Sequence, residues 1–441
     1  SPVDGGTEEV QVIRSRESRR GRVAPADAWY LFADELKTDQ FLVYGFAGTP
    51  ASVEQAVEEV IARARTCSEL RLRVGYPNHL GSARLGFPSW VPGDVDPGQI
   101  IVHDSDQLDW AGFLRTTGWL IEGHQLDPER AMWRLHIFVG VHGVPGSPGK
   151  PATVAVAQIS HALADGMRSA VLAGVLFGRQ EAPPPITELP VHWPFARSFE
   201  AFRARRQLAA DTAAGLVPEP PSPVPALSIN NSKPTGAPIL RTFVRHRAQL
   251  PGKRATKGAL VAISEALSGY LRERGEDPTM LTALVPMAFS GTAHARNHSG
   301  PEFIRLHPDV PVRADRAGLI AAQLADRRNR RQHAALAANE LALANLPGPL
   351  LRWIQSRTLP PTVMGHTVVS SVNRGPADLT FGGCPVIMSA GYPFLTPTIP
   401  LTHGIHGIGE MVGISVYTTT SVISDIEGYI DRLNFGLRPQ L

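Results

Sequence analysis

The sequence predicts an α/β protein of two domains, and three observations carry that prediction. Patterns typical of strands and of helices alternate in both halves of the chain. A segment rich in proline and charge separates the two halves. Of the 441 residues, 43% are hydrophobic and 19% are charged, which provides enough apolar side chains for large cores.

The predicted organisation has four parts. Residues 1–22 form a polar, flexible arm, and residues 23–180 form the N-terminal domain. Residues 181–235 form a proline-rich crossover linker that contains one helix, and residues 236–441 form the C-terminal domain. The linker itself supports two domains, because a structureless loop of this length is unusual inside one compact domain.

In the N-terminal domain, strand and helix patterns follow one another along the chain. Apolar spacing predicts a strand over residues 39–47, a helix over 52–65, strands over 134–141 and 153–159, and a helix over 167–177. Ser52 is the expected N-cap of the first helix, with Gln55 at the capping-box position.

The C-terminal domain repeats this alternation. The predicted elements are a helix over residues 257–274 ending at Gly275, a strand over 281–286, a long helix over 316–344 closed by Pro347, strands over 367–372, 385–390 and 413–418, and a final helix over 423–433.

Composition excludes several classes of protein. The formal charge is +3, from 43 basic and 40 acidic residues, and the arginines of residues 327–331 fit a solvated helix face, so no nucleic-acid partner is expected. Cys67 and Cys384 are too few for a disulfide framework and fit reduced thiols. No apolar run reaches the roughly 18 residues of a membrane span. We expect a cytoplasmic protein, with peripheral contact to a membrane or lipid droplet left open.

Several segments resemble known binding or catalytic motifs but lack residues that those motifs require. Residues 143–150 end in Gly-Lys, but Pro151 stands where a phosphate loop needs Ser or Thr. The glycines of residues 407–413 have the wrong spacing for a dinucleotide-binding turn, and no Gly-x-Ser-x-Gly elbow is present. His403 and His406 are spaced for a metal but have no third ligand nearby, so no metal site is predicted.

One group of neighbouring residues has a pattern that predicts a catalytic role. Residues 154–160 have a strand pattern, and His161 follows Ser160 on a turn that Asp165 and Gly166 close before an amphipathic helix. A histidine held between two rigid elements is well placed to act as a general base. With an ordinary pKa of about 6.5 it is mostly neutral near pH 7, so it can accept a proton from a hydroxyl that attacks an acyl carbonyl.

Asp165 and Gly166 are interpreted as structural support of this turn. The Asp165 carboxylate is expected to pair with an arginine, and Gly166 to supply a backbone geometry that a Cβ would forbid. Taken alone, the pattern fits a structural histidine that caps a turn equally well.

The segment His161-Ala-Leu-Ala-Asp165-Gly166 resembles the active-site motif of the CoA-dependent acyltransferase superfamily. Within it, the sequence is most similar to the bacterial wax ester synthase/diacylglycerol acyltransferase family. The similarity runs in order along about residues 23–433. Its other segments are residues 24–27, 126–133, 266–275 with 281–286, and 368–372 with Gly375-Pro376.

The resemblance implies two chloramphenicol-acetyltransferase-like domains, a pseudo-dimer with the active site in a tunnel at their interface. It makes His161 the catalytic base for direct attack on a thioester, without a covalent acyl-enzyme. Acyl-CoA would then be a co-substrate, no cofactor would be needed, and a monomer would be sufficient.

The sequence departs from the family pattern at several places. Ser160 replaces the first of two histidines, Thr256-Lys257 replaces Asn-Asp, Ser371 replaces Asn, Ala131-Met132 replaces Pro-Leu, and an extra residue stands near Asn373-Arg374. The base is kept while motifs that shape substrate binding differ, which favours either a different donor or acceptor, or lost activity.

Six further residues are candidates for substrate binding or for stabilising an oxyanion: Ser160, Trp133, Ser370, Ser371, His403 and His406. Each has a structural alternative. Trp133 is favoured as a core aromatic, and Ser160 is equally suited to satisfying a backbone group of the turn. His403 and His406 lie between two glycine-rich turns, near the expected tunnel.

The predicted function is an O-acyltransferase that moves an acyl group from a CoA thioester to an alcohol, like a wax ester or triacylglycerol synthase. One alternative is an O- or N-acyltransferase that uses an acyl carrier protein or a specialised metabolite. Another is a non-catalytic lipid-binding relic. The expected partners are an acyl thioester and an alcohol or other small acceptor.

Overall fold

A computed structural model describes residues 21–438 except 34, 81–82, 86, 106, 188–193, 232–233, 252–254, 334 and 337–362. Most of the expected N-terminal arm and Pro347 therefore lie outside the described residues. Within the described residues, no helix combines the length and the apolar character needed to cross a membrane.

The helices alternate with strands along the chain, as the sequence predicts. In chain order they are α1 (Pro25–Phe32), α2 (Val53–Thr66), α3 (Trp110–Gly123), α4 (Gly166–Leu176), α5 (Pro194–Ala213), α6 (Ser228–Asn231), α7 (Ala255–Arg272), α8 (Arg313–Arg331) and α9 (Ile426–Gly436).

Among the described residues, the strands form two six-stranded sheets and two short pairs. In chain order they are β1 (Gln40–Ala47), β2 (Leu72–Gly75), β3 (Asn78–Leu80), β4 (Ala83–Leu85), β5 (Ser89–Pro92), β6 (Ile100–His103), β7 (Trp133–Val141), β8 (Ala152–Ile159), β9 (Pro238–His246), β10 (Thr282–Ala288), β11 (Ser299–Arg305), β12 (Thr367–Asn373), β13 (Thr380–Phe381), β14 (Cys384–Gly391), β15 (Thr402–Ile408) and β16 (Met411–Thr419).

The first sheet has the strand order β13-β14-β1-β8-β7-β6, and the second has the order β11-β10-β12-β15-β16-β9. Strand β14 pairs antiparallel with β1, so the second half of the chain completes the sheet of the first half. The sheets therefore do not follow the division at residues 181–235 strictly, because residues 380–391 lie in the first sheet.

The two sheets meet backbone to backbone where β14 crosses β15 and β16. A Cβ on Gly404 would lie 2.2 Å from the Gly391 carbonyl oxygen, and one on Gly413 would lie 2.0 Å from the Ser389 oxygen. Only glycine permits this approach. We call this contact the seam.

In the part of the chain that the structure describes, apolar side chains form three cores. One packs α1, α2 and α4 against the first sheet, and another packs α7 and α9 against the second. The third combines residues of both halves, among them Phe41, Val156, Leu240, Met388 and Tyr417. This shared core holds the two sheets together.

Most of the predicted elements are confirmed to within a few residues. The Ser52 hydroxyl caps α2 by accepting the backbone N–H of Gln55 at 3.1 Å. The long helix predicted over residues 316–344 is observed as α8, which ends at Arg331 in a turn at residues 332–333. The end predicted for it lies outside the described residues.

Strand β15 contradicts the expectation of glycine-rich turns around His403 and His406. The strand is buried on both faces, so it lacks the alternation of apolar and polar residues by which a half-exposed strand is recognised.

Candidate active site

His161 lies in the turn that joins β8 to α4. Strand β8 is buried along its whole length, and α4 begins at Gly166. The backbone N–H of Leu163 donates to the Ser160 carbonyl at 2.9 Å within this turn. Two regular elements therefore carry the histidine, as the sequence pattern predicts.

Asp165 ties this turn to the second half of the chain. One carboxylate oxygen caps α4 by accepting the N–H of Arg168 at 3.0 Å, and the other accepts the N–H of His298 at 3.0 Å. The expected pairing of Asp165 with an arginine is wrong, because the Arg168 guanidinium bonds Glu69 instead. The carboxylate supports the motif through backbone donors.

Gly166 is required for space. Its φ is not in the left-handed region, so the expected special backbone geometry is wrong. A Cβ at this position would lie 3.0 Å from Cγ2 of Val372. The missing side chain lets β12 of the second half approach the start of α4.

A hydrogen-bond network holds the His161 ring from the second half. His161 Nδ1 lies 2.9 Å from Oδ1 of Asn297. Nδ2 of Asn297 donates to the His161 carbonyl at 2.8 Å and to Oδ1 of Asp27 at 2.9 Å. The backbone N–H groups of Arg296 and Asn297 also donate to Asp27, at 3.0 and 2.8 Å.

These bonds fix the tautomer of the neutral ring. The His161 carbonyl can only accept, so the amide nitrogen of Asn297 must face it and the amide oxygen must face Nδ1. Nδ1 of His161 therefore carries the hydrogen, and Nε2 holds a lone pair. None of the described residues forms a hydrogen bond with Nε2.

Aromatic rings enclose the imidazole. Tyr30 stacks on it with ring centroids 3.9 Å apart and planes 5° apart, and Phe394 meets it edge-on at 6.0 Å. Loss of surrounding water lowers the pKa of His161, and its own carbonyl, Asp165 and Asn297 oppose this in part. The neutral ring is thus favoured around pH 7.

The three candidate serines differ in their surroundings. The backbone N–H of Ser160 donates to the Met132 carbonyl at 2.9 Å, while its hydroxyl forms no hydrogen bond with the described residues. The Ser371 hydroxyl lies 2.7 Å from that of Thr256. Ser370 lies on the opposite face of β12 from Ser371, the face that Val372 turns toward Gly166.

Trp133 and His403 both belong to the interior. Trp133 is 1% exposed, and its Nε1 donates to the Leu70 carbonyl at 2.8 Å. His403 is fully buried in the second half, with Nδ1 2.9 Å from the Thr367 hydroxyl and Nε2 2.7 Å from the Tyr429 hydroxyl. The prediction of substrate contact is therefore wrong for both Trp133 and His403, because packing and hydrogen bonds within the protein already occupy their side chains.

His406 lies on the opposite face of β15 from His403, at the seam. The two histidines cannot bind one metal ion, since they point to opposite sides of the strand. Among the described residues, no group of three or more metal-ligating side chains is found.

Sequence reasoning missed three residues that contact the His161 ring, Tyr30, Asn297 and Phe394. Asn297 is 136 positions from His161 along the chain. No local pattern surrounds these residues. Asp27, which positions Asn297, belongs to the segment at residues 24–27 that carries part of the family resemblance, but no role was predicted for it.

Comparison with solved structures places this arrangement in a known fold. No protein-family model and no curated protein matches the chain. The wax ester synthase/diacylglycerol acyltransferase from Marinobacter aquaeolei VT8 superposes with a TM-score of 0.59 at 17% identity, over 94% of this chain and 98% of the other. The chain therefore has the same two-lobed α/β fold as this solved structure.

Condensation domains share the same fold. The first condensation domain of the calcium-dependent antibiotic synthetase, in complex with a substrate analogue, gives a TM-score of 0.55 at 16% identity, over 94% of this chain and 95% of that one. The starter condensation domain of rhizomide synthetase, solved as a mutant with C8-CoA and Leu-SNAC, gives 0.51 at 14% identity, with 95% of both chains covered. Two acyltransferase-like lobes are thus common to all three relatives and to this chain.

Proposed function

We propose that the protein is an acyltransferase that moves an acyl group from a thioester to a hydroxyl, with His161 as general base. The observation that carries this proposal is the bond from His161 Nδ1 to Asn297, which leaves the lone pair of Nε2 without a partner among the described residues. A neutral histidine with one bonded and one available nitrogen has the form that a general base requires.

The reaction balances without a covalent enzyme intermediate. Nε2 removes the hydroxyl proton while the acceptor oxygen attacks the thioester carbon. The tetrahedral intermediate then collapses, the carbon–sulfur bond breaks, and the imidazolium returns the proton to the departing sulfur. The products are an ester and a free thiol, and His161 is neutral again. Acyl-CoA serves as co-substrate, and no further cofactor is required.

Two hydroxyls are suited to stabilising the intermediate's oxyanion. Ser160 is next to His161 and its hydroxyl forms no hydrogen bond with the described residues. Ser370 faces the first half from β12, whereas Ser371 is engaged by Thr256. Hydrogen-bond donors aimed at a developing oxyanion contribute about 3 kcal/mol to a barrier, so we assign this role to Ser160 or Ser370 rather than to Ser371.

A second candidate is acyl transfer to an amine, with a carrier-bound acyl donor. It is favoured by the fold that the chain shares with condensation domains, whose TM-score of 0.55 is close to the 0.59 of the wax ester synthase. The same unpartnered nitrogen would accept the proton that the amine nitrogen loses as it attacks the thioester carbon, and it would return that proton to the departing sulfur.

The test is release of free thiol by the purified protein. Acyl-CoAs from acetyl to palmitoyl, and matching carrier-bound donors, are supplied with and without long-chain alcohols, diacylglycerol and amino-acid thioesters. We expect release that requires an acceptor and that falls by a factor of about 10² to 10⁴ in His161→Ala. His142→Ala removes an exposed histidine and serves as the matched control.

The outcomes separate the candidates. Acceptor-dependent release with His161→Ala as active as wild type would contradict the proposed mechanism. Release only with carrier-bound donors and amines would establish the second candidate. Thioester binding without release under any condition would identify a non-catalytic lipid-binding protein.

A further inference from the structure

Helix α5, which lies between the two halves of the chain, turns two phenylalanines toward solvent. Phe199 is 61% exposed and Phe202 is 58% exposed. Because they are three residues apart, the two rings lie side by side on one face of the helix. Single exposed apolar side chains are ordinary on a protein surface, whereas neighbouring ones form a patch that marks a contact site.

Two exposed arginines share this face. Arg203 follows Phe199 by four residues, and Arg206 follows Phe202 by four residues. Side chains four apart on a helix lie one turn apart on the same side, so each guanidinium is next to a phenyl ring. We call Phe199, Phe202, Arg203 and Arg206 the outer face of α5.

The opposite side of α5 packs against the protein. Ala201 on that side is 6% exposed. Near the end of the helix, Oδ2 of Asp211 lies 3.0 Å from Nε2 of His333, and Nη1 of Arg330 donates to the Thr212 hydroxyl at 3.2 Å. These bonds hold α5 against the end of α8, so the outer face is directed away from the rest of the molecule.

The charge of this part of α5 is positive. From Phe199 onward the helix carries three arginines, Arg203, Arg205 and Arg206, and two carboxylates, Glu200 and Asp211. The Asp211 carboxylate is already bonded on the packed side of the helix. A cationic face that also exposes aromatic rings is complementary to an anionic lipid surface, where arginine binds phosphate and the rings enter the head-group layer.

The size of the outer face favours a membrane over a protein partner. A stable protein interface uses about 20 to 30 residues on each side, whereas the outer face has four. A helix that lies in the plane of a membrane needs only a short row of apolar side chains with basic neighbours.

We infer that the outer face of α5 binds the surface of an anionic phospholipid membrane. The Phe199 and Phe202 rings would enter the head-group layer while Arg203 and Arg206 bind lipid phosphates. The inference goes beyond the proposed acyl transfer and does not depend on it, because the outer face contains none of the residues that contact His161.

The first test is co-sedimentation of the purified full chain with vesicles. Phosphatidylcholine vesicles are compared with vesicles that also contain phosphatidylglycerol. We expect at least about tenfold tighter binding to the anionic vesicles, since each basic side chain near such a surface contributes about fivefold. Added salt should weaken this binding by screening. No binding, or equal affinity for the two vesicle types, would overturn the inference.

The aromatic contribution is tested with a matched pair of double variants. Phe199→Ser/Phe202→Ser should lower the affinity for anionic vesicles by at least about tenfold, because two rings no longer leave water. Trp119→Ser/Phe435→Ser is the control, since it removes two aromatic side chains that are 59% and 65% exposed on α3 and α9. All four residues are exposed, so both variants should fold. An equal loss of affinity in the control would overturn the assignment to α5.

The charge contribution has its own control. Arg203→Gln/Arg206→Gln should abolish most of the preference for anionic vesicles. Arg130→Gln/Arg432→Gln removes the same charge from arginines that are paired with carboxylates elsewhere, and it should keep the preference. If the two variants lost it equally, overall charge and not the outer face would be the cause.

The last measurements separate this inference from a self-association surface and from acyl transfer. Sedimentation velocity without lipid should give the same oligomeric state for wild type and Phe199→Ser/Phe202→Ser. A wild-type dimer that this variant converts to a monomer would assign the outer face to a second copy of the chain and overturn the inference. His161→Ala should bind vesicles as wild type does. Thiol release without vesicle binding would overturn the membrane contact alone, and vesicle binding without release would overturn acyl transfer alone.

Discussion

His161 in the first half and His403 in the second both lie in surroundings from which protein displaces water. Burial lowers the pKa of both, that of His403 to about 4. Thr367 and Tyr429 occupy both ring nitrogens of His403, whereas Asn297 occupies only Nδ1 of His161. Burial alone therefore does not make a catalytic base, and an available nitrogen on a fixed ring is what distinguishes the two.

The largest expected effect is a loss of kcat, and it appears when His161 and His403 are each replaced by glutamine in separate variants. His161→Gln should lower kcat by about 10² to 10⁴, since the proton acceptor is lost. His403→Gln should leave kcat within a few-fold of wild type, because His403 contacts only interior groups. Steady-state rates of both variants, with folding checked by circular dichroism, test the contrast. A similar loss of kcat in the two variants would contradict the claim that only His161 acts as the base.

The next largest effect is a smaller loss of kcat, and it is expected when Asn297, which orients the His161 ring, is replaced. Asn297→Ala should lower kcat by roughly 10- to 100-fold, a size seen when a histidine loses its orienting partner in metal sites, with little change in KM. Asn230→Ala is the matched control, since this buried amide bonds the carbonyls of His366 and Thr398 away from His161. If Asn230→Ala lowered kcat as much as Asn297→Ala does, the cause would be a general loss of stability and not the loss of the bond that orients His161.

The pH profile sharpens the comparison further. The base must be neutral, so kcat/KM falls as the pH drops through the pKa of His161. Burial places that pKa below the ordinary 6.5, and the acidic limb should have its midpoint below that value. Asn297 stabilises the protonated ring, so Asn297→Ala should move the limb to still lower pH. A wild-type midpoint above 6.5, or an upward shift in the variant, would contradict this.

The last prediction concerns stability instead of rate, and it belongs to His403. Its pKa is 6.5 without burial and about 4 in the folded protein, so the unfolded chain binds more protons between those values. The free energy of unfolding then falls as the pH drops from 6.5 to 4, by about 3 kcal/mol. Urea midpoints at pH 7 and pH 4.5 should differ less in His403→Gln than in wild type. An equal difference would mean that His403 does not titrate in this way.

Local patterns in the sequence were sufficient for much of the fold. The strand that ends before His161 and the helix that begins at Gly166 are encoded by neighbouring residues, as is the Ser52 cap. Strand β15 was not recognised because it is buried on both faces, and its His-Gly pattern resembles a turn. The transfer of β14 into the first sheet depends on backbone pairing, which no single-sequence pattern records.

The candidate site was predictable only in part for the same reason. His161 was predictable because its motif lies within six consecutive residues, from His161 to Gly166. Asn297, Tyr30 and Phe394 reach it from three distant segments, and each is ordinary in its own local context.

The central claim is that Asn297 fixes the His161 hydrogen on Nδ1 and leaves Nε2 as the base. The most direct measurement is the tautomer of His161 by nitrogen-15 NMR of histidine-labelled protein, with the signal assigned through His161→Gln. At pH 7 we expect a neutral ring with a protonated Nδ1 and an unprotonated Nε2. A hydrogen on Nε2, or a fully protonated ring at that pH, would contradict the account.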